Sequence, residues 1–121
     1  MDGIWRVKGS APRGGQASYL ATSRGIGDLW HKEPLRVVTS EPEVKVMPCA
    51  YEDEFLCIAS DGVWDVLDNQ ACVDIIRGVL KEGADATSAA EAVVKASLAK
   101  GSEDNITALV VRFGWMDSSG P

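Results

Sequence analysis

The sequence has no long apolar run, and nowhere do about 18 consecutive residues stay apolar, as a membrane-spanning helix requires. The N-terminus has no apolar core of the kind found in signal peptides. The 12 Lys and Arg are scattered along the chain and are outnumbered by 18 Asp and Glu, which leaves a net charge of -6. Such a balance disfavours a nucleic-acid backbone as a partner. We therefore expect no membrane and no nucleic acid among its partners, and cations are the more natural ligands.

Cysteine and histidine are scarce as well. The three cysteines, Cys49, Cys57 and Cys72, are 8 and 15 residues apart, spacings that match no zinc or redox motif. Cys57 and Cys72 fall in apolar segments, which predicts buried free thiols in a reducing compartment. We therefore expect a cytoplasmic or nuclear protein. The single histidine, His31, is interpreted as structural and without a catalytic role.

What is present is an ordinary globular composition, with 121 residues, 45% hydrophobic and 25% charged. That length holds one modest core, so one domain or part of one is expected. Apolar residues at helical spacing predict two amphipathic helices, over residues 68–80 and 86–100. Asp68 is a suitable cap for the first. Ser88 with Glu91 resembles a capping box in the second, and Gly101 ends it.

Short apolar or alternating segments predict the strands. They are residues 4–8, 17–22, 35–39, 44–47, 55–60 and 106–113. The two last segments are apolar on nearly every position, which is typical of strands covered on both faces. The loop between the first two contains Arg13, interpreted as a solvated charge. Residues 114–121 have no pattern and are expected to form a disordered tail.

Two carboxylates stand where buried strands meet loops. Asp61 follows the segment 55–60, and Asp104 precedes the segment 106–113. A carboxylate in such a place is costly unless a cation, hydrogen-bond donors or water compensate it. Taken singly, Asp61 and Asp28 are also explained as helix caps, and Asp104 with Asn105 as a turn signal. The local pattern leaves both interpretations open.

Five segments, in this order, resemble the metal-dependent protein serine/threonine phosphatases of type 2C. They are residues 20–28 (Leu-Ala-Thr-Ser-Arg-Gly-Ile-Gly-Asp), 41–43 (Glu-Pro-Glu), 53–56 (Asp-Glu-Phe-Leu), 59–66 (Ala-Ser-Asp-Gly-Val-Trp-Asp-Val) and 101–107 (Gly-Ser-Glu-Asp-Asn-Ile-Thr). Each segment alone is weak evidence for the family. The ordered set is specific, and it leaves little room for a purely structural domain with capping aspartates.

The resemblance implies an α+β fold, part of a four-layer α/β/β/α sandwich with mostly antiparallel sheet. It implies that Asp61 and Asp104 are metal ligands, and that no further catalytic side chain lies in this chain. Asn105 and Gly62 resemble supporting residues of that site, and Ser23, Arg24 and Asp28 match a motif beside it. The implied cofactors are two manganese or magnesium ions, which prefer oxygen ligands. The implied reaction is hydrolysis of phosphoserine or phosphothreonine in phosphoproteins by a metal-activated water.

The resemblance covers only the C-terminal part of that catalytic domain, here residues 1–113. No segment resembles the family's Asp-Gly-His-Gly-Gly motif, its early acidic ligand or its phosphate-binding arginine. We therefore expect a fragment that is inactive alone, with an incomplete metal site and open strand edges. Self-association, or binding to the missing N-terminal half, is the expected consequence. The alternative is a pseudophosphatase-like interaction module without catalysis.

Overall fold

The computed structural model describes residues 6–9, 17–33 and 36–117, and the chain divides into two compact units, residues 1–47 and 48–121. Helices and antiparallel strands are both present, as expected of an α+β fold. The elements in chain order are strands β1 (Val7–Lys8), β2 (Tyr19–Leu20) and β3 (Phe55–Ala59), helices α1 (Asp61–Trp64), α2 (Asn69–Lys81) and α3 (Ala86–Ala99), and strand β4 (Ala108–Arg112), with 3-10 turns at Leu29–His31 and Gly114–Asp117.

The first unit is built around one short antiparallel pair. Val7 pairs with Leu20 and Lys8 with Tyr19. His31 is 2% exposed and Val38 1%, so both lie in the interior of this unit. The ring of His31 lies against Gly9, and a Cβ added to that glycine would come within 2.6 Å of the ring carbon Cδ2. His31 is thus a buried residue of this unit, and Gly9 leaves the room for its ring.

Two of the strands predicted for this unit do not form. Within residues 35–39 the described part contributes only an isolated parallel bridge, from Thr39 to Arg24. Residues 44–47 form no strand, and Val44 and Val46 are 80% and 92% exposed. Alternating β-branched residues favour extended backbone, but a strand also needs a partner to complete its hydrogen bonds. No partner lies beside residues 44–47 among the described residues. Arg13 lies outside the described residues.

The second unit has both predicted helices against a two-stranded sheet. β3 and β4 are antiparallel, with Cys57 opposite Val110 at the centre of the register. Helix α2 is capped by Asp68, whose carboxylate accepts from the Ala71 N–H at 2.7 Å. Helix α3 starts where predicted, but its cap is Asp85, which accepts from the Ser88 N–H at 2.8 Å. The capping box assigned to Ser88 was therefore wrong, because the acceptor stands three residues earlier.

One apolar cluster holds this unit together. Residues on the inner stripes of α2 and α3 meet the end of α1 and the inner face of the sheet. Its buried members are Val63, Leu67, Cys72, Ile76, Leu80, Ala89 and Val93. Two alanines and a valine on α3 keep that helix close to its neighbours, since small side chains shorten the interaxial distance. The cluster fixes β3, α1 and β4 relative to one another.

The sheet is covered on one face only, which corrects the prediction of strands covered on both faces. Positions along β3 and β4 alternate between partly buried and exposed. On the outer face, Ile58 lies opposite Leu109, and these residues are 56% and 49% exposed, respectively. The outer positions are as apolar as most inner ones, but the described residues supply a layer for the inner face alone.

After β4 the chain enters the 3-10 turn at Gly114–Asp117, at the start of the tail for which disorder stays a prediction. Trp115 stacks on Phe113, with ring centroids 4.8 Å apart, and its indole N–H donates to the Asp53 carbonyl at 2.9 Å. Residues 118–121 of the predicted tail lie outside the described residues. The longest described helix, α3, has 14 residues, and none of the described helices has the length and apolarity to cross a membrane.

Candidate metal centre

Three aspartates come together at one end of the second unit. Asp61 opens α1 directly after β3, and Asp65 follows that helix at its C-terminal end. Asp104 comes from the loop between α3 and β4. One carboxylate oxygen from each can be chosen so that all three atoms lie within 4.8 Å of one another, and all three residues are exposed. The structure therefore brings together the two aspartates predicted from sequence, and it adds Asp65.

Hydrogen bonds fasten the two loops that carry these aspartates. The Ser60 N–H donates to the Thr107 carbonyl at 3.0 Å, and the Thr107 N–H donates to the Ser60 hydroxyl at 3.0 Å. The same hydroxyl donates to the Asn105 carbonyl at 3.2 Å. Ser60 therefore bridges the end of β3 and the start of β4 through both its backbone and its side chain. This sets the separation of Asp61 and Asp104.

Gly62 is required by the close approach of the second loop. A Cβ at this position would collide with the carbonyl oxygen of Asn105 and would lie 3.1 Å from its carbonyl carbon. On the other side, the Gly62 carbonyl accepts from the Ser102 hydroxyl at 2.7 Å. The glycine thus lets the α1 turn and the Asp104 loop touch through their backbones. This gives a physical role to a residue that the sequence marked as supporting.

Asn105 acts through its main chain in this structure. Its N–H donates to Asp104 Oδ1 at 2.7 Å, while its carbonyl accepts from Ser60. The bond to Asp104 fixes the orientation of that carboxylate and leaves the second oxygen, Oδ2, for another partner. Asn105, which resembles a supporting residue in sequence, therefore contacts both Asp104 and Ser60 through backbone atoms.

An open depression borders the cluster. It has a volume of about 440 Å³ and is lined by Asp65, Val66, Gly101, Ser102, Glu103 and Asp104. Two of the clustered aspartates and Glu103 give this wall a concentration of negative charge. Such a surface attracts cations and repels a free phosphate unless a cation lies between them.

The donor set fits a hard divalent cation. Three exposed carboxylates, two on the α1 turn and one on the α3–β4 loop, offer only oxygen atoms, the ligands preferred by Mg²⁺ and Mn²⁺. Their exposure leaves space for water, which Mg²⁺ retains in most protein sites. With no basic side chain among the residues of the depression, a cation is the natural counter-charge.

Asp65 is the residue that the sequence analysis missed. It stands four positions after Asp61, and this spacing places two residues on the same side of a helical turn. The signal was present in the segment 59–66, but a four-residue helix is too short to show a periodic pattern. Only the observed turn, Asp61–Trp64, makes the spacing meaningful.

The other predicted supporting residues, Ser23, Arg24 and Asp28, belong to the first unit. The Ser23 carbonyl accepts from the Thr39 N–H at 3.1 Å, and Arg24 pairs with Glu43 at 3.1 Å. Asp28 has a left-handed backbone, with φ 49°, and precedes the turn at Leu29–His31 without a side-chain cap bond. The alternative role of Asp28 as a side-chain cap is therefore not observed, although its carbonyl accepts from the His31 N–H.

A family model, curated relatives and a solved structure all indicate the same family. The family model described as protein phosphatase 2C matches residues 1–106. The chain is 41% identical over 101 residues to probable protein phosphatase 2C 27 of Oryza sativa subsp. japonica, covering 78% of this chain and 28% of that protein. It is 37% identical over 114 residues to probable protein phosphatase 2C 30 of Arabidopsis thaliana, covering 93% of this chain and 26% of that protein.

Among solved structures, the serine-threonine phosphatase 2C from Toxoplasma gondii matches with a TM-score of 0.72 and 31% identity. The match covers 84% of this chain and 32% of that one. The chain thus spans little more than a quarter of the two curated relatives, and it supplies one part of their fold. On the extent of the family match and the identity to these relatives, the chain belongs to the protein phosphatase 2C family.

Proposed function

We propose that this chain is part of a metal-dependent protein serine/threonine phosphatase, and that Asp61, Asp65 and Asp104 hold a manganese or magnesium ion. The observation that carries the proposal is the convergence of these three carboxylates, two from the α1 turn and one from the α3–β4 loop, within 4.8 Å, in a chain of this family. The substrate class is a phosphoserine or phosphothreonine side chain of a phosphoprotein.

Each residue has a defined task in this proposal. The three aspartates hold the cation, Ser60 and Asn105 keep the two loops at the required separation, and Gly62 permits their contact. A divalent ion in such a site supplies charge that favours ionisation of water and offsets negative charge on a phosphate. The open depression beside Asp65 and Asp104 gives a phosphorylated side chain access to the cluster.

Manganese titration tests the metal site directly. We expect the wild type to bind manganese with measurable heat. In Asp61→Asn and in Asp104→Asn the affinity should fall at least about tenfold, or roughly 1.4 kcal/mol. Asp65→Asn is expected to weaken binding as well. Asp74→Asn is the matched control, because Asp74 is an exposed helical carboxylate that pairs with Gln70 away from the cluster. If manganese binding is unchanged in all three cluster variants, the ion does not bind at the proposed site.

We further propose that the isolated chain has little or no phosphatase activity, because it spans 28% and 26% of the two curated relatives and offers three clustered carboxylates for a two-ion site. Incubation with manganese and a phosphothreonine peptide is expected to release no phosphate above the metal-only background. Strong release that depends on both manganese and Asp61 would contradict the inactivity and strengthen the enzyme assignment.

A second candidate function is a non-catalytic interaction module, favoured by the apolar outer face of the β3–β4 sheet. A module of that kind needs no cation. The calorimetric titration separates the two functions, since an interaction module shows no manganese heat that depends on Asp61. The partner of such a face is the N-terminal part of a phosphatase domain or a second copy of the chain.

A further inference from the structure

Two cysteines meet in the core of the second unit, away from the acidic cluster. Cys57 lies on β3 and Cys72 on α2, and their Sγ atoms are 3.8 Å apart in a weak S–H···S hydrogen bond. Cys72 is 1% exposed, whereas Cys57 is partly buried. Both are free thiols, as the sequence predicted. Their contact was not predictable, since the 15-residue spacing corresponds to no redox motif.

The fold explains why the two sulfurs meet. Cys57 points to the helix-covered face of the sheet, with Phe55 and Ala59 on the same side of β3. Cys72 starts the buried stripe of α2 that continues at Ile76. A disulfide has sulfurs about 2.05 Å apart, so the pair must approach by somewhat less than 2 Å. The disulfide therefore requires that rotation of the two side chains, on a strand and a helix held in one core, supply this movement.

We propose that Cys57 and Cys72 form an oxidisable dithiol, which a hydroperoxide such as hydrogen peroxide converts into an intramolecular disulfide. Burial, then the neighbouring Cys57, raises the pKa of the Cys72 thiol to about 12, so it stays protonated near neutral pH. Cys57 is the less buried residue of the two, so we expect it to meet the oxidant first.

The reaction balances in two steps. Cys57, as its thiolate, attacks one peroxide oxygen, the O–O bond breaks, and the leaving hydroxide takes a proton to become water. The Cys72 sulfur then attacks the resulting Cys57 sulfenic acid. The S–S bond forms, the S–O bond breaks, and hydroxide leaves as water with the Cys72 proton. Two thiols are oxidised, both peroxide oxygens are reduced, and two waters are released.

The disulfide would close a loop that contains α1, with Asp61 and Asp65 between the linked residues. It would tie β3 to α2 covalently where the two already pack. The proposal concerns the thiol pair alone and does not depend on metal binding or phosphatase activity.

The test is peptide mapping of the native chain after treatment with hydrogen peroxide, with free thiols blocked before digestion without reductant. We expect a loss of about 2 Da from the intact chain and one cross-linked peptide pair that joins Cys57 to Cys72. Cys49, which is exposed, stays unlinked within the chain. The Cys49→Ser variant is the matched control and is expected to form the same disulfide to the same extent.

The unfolded chain provides the second control. Oxidised in denaturant, it is expected to give a mixture of the three possible pairings, whereas the native chain gives one. Cys72→Ala is expected to lose the 2 Da change and to leave Cys57 as a sulfenic acid that dimedone labels. Because the mapping is done on wild type, the test holds even if that variant folds poorly. The proposal is overturned by native oxidation confined to Cys49, by mixed pairings, or by no cross-link.

Discussion

At the scale of single residues, the candidate site depends on one glycine as much as on its aspartates. Gly62 stands between Asp61 and the core residue Val63, and its missing Cβ is what allows the Asn105 carbonyl to lie against the α1 turn. In sequence this glycine resembles a supporting residue of the site. The structure gives it a steric reason, because the neighbouring backbone occupies the space that a Cβ would fill.

Replacing two glycines by alanine is therefore expected to have opposite effects. Gly62→Ala forces a backbone shift and should lower the free energy of unfolding by roughly 1–3 kcal/mol. Gly78→Ala adds a methyl group where nothing lies within 4 Å on an exposed part of α2. It should raise that free energy by roughly 0.5–1 kcal/mol, because alanine favours the helix. Urea unfolding followed by circular dichroism measures both.

The two variants control for each other, since each adds the same methyl group. If Gly62→Ala is as stable as wild type, the close approach of the Asn105 backbone is not a constraint on the site. A matching loss of manganese affinity in Gly62→Ala, with none in Gly78→Ala, would show that the loop separation matters for the metal centre.

At the scale of elements, helix α3 illustrates how a cap determines where a helix begins. The apolar stripe placed its start at residue 86 correctly, but several polar residues near it are acceptable caps. The structure selects Asp85, whose carboxylate accepts from the Ser88 N–H. That hydrogen bond favours the charged form and lowers the pKa of Asp85 below its ordinary value.

The lowered pKa predicts a pH dependence with a definite sign. A carboxyl group whose pKa is depressed on folding stabilises the fold above its unfolded pKa, about 3.9 for Asp. That contribution is lost as the pH falls through the lower, folded value. The difference in Tm between wild type and Asp85→Ala should therefore be large at pH 6–7 and shrink below about pH 4.

Asp85→Asn supplies the control, because an asparagine caps a helix without titrating. Its Tm difference from Asp85→Ala should stay constant over the same pH range. Thermal unfolding followed by circular dichroism measures all three proteins. A wild-type advantage over Asp85→Ala that persists undiminished at pH 2 would contradict the assignment of the cap to the ionised carboxylate.

In the molecule as a whole, the outer face of the β3–β4 sheet is an exposed apolar surface. Four apolar side chains on that face are 42% to 56% exposed, namely Leu56, Ile58, Leu109 and Val111. Within the described part of the chain the sheet has two strands, so each strand also has an open edge. Exposed apolar faces with open edges favour association.

We therefore expect the isolated chain to self-associate as its concentration rises. Ile58→Thr combined with Leu109→Thr removes one cross-strand pair from the outer face and should weaken association roughly tenfold, or about 1.4 kcal/mol. Leu98→Thr is the control, because Leu98 is 58% exposed but lies on α3. Light scattering over a concentration series gives the mass. A monodisperse wild-type monomer at every concentration would contradict the prediction.

The two long helices, the strands β3 and β4 and the motifs that identify the family could be predicted from sequence alone, because they depend on local periodicity and on ordered residue types. It also indicated Asp61 and Asp104 as ligands through the family resemblance. Asp65 was not predicted, because its place in the acidic cluster depends on the single turn of helix α1. The predicted strand at residues 44–47 did not form, because a strand requires a partner that local propensity cannot supply.

Which side chains meet depends on long-range packing. The packing of α2 and α3 on the sheet brings β3 and β4 into register, and this places Asp61 beside Asp104 across 43 residues of sequence and Cys57 beside Cys72. The same packing leaves the outer sheet face uncovered, although its sequence is as apolar as the inner one. Sequence patterns record which residues avoid water, whereas the set of packed neighbours is fixed by long-range contacts that no local pattern encodes.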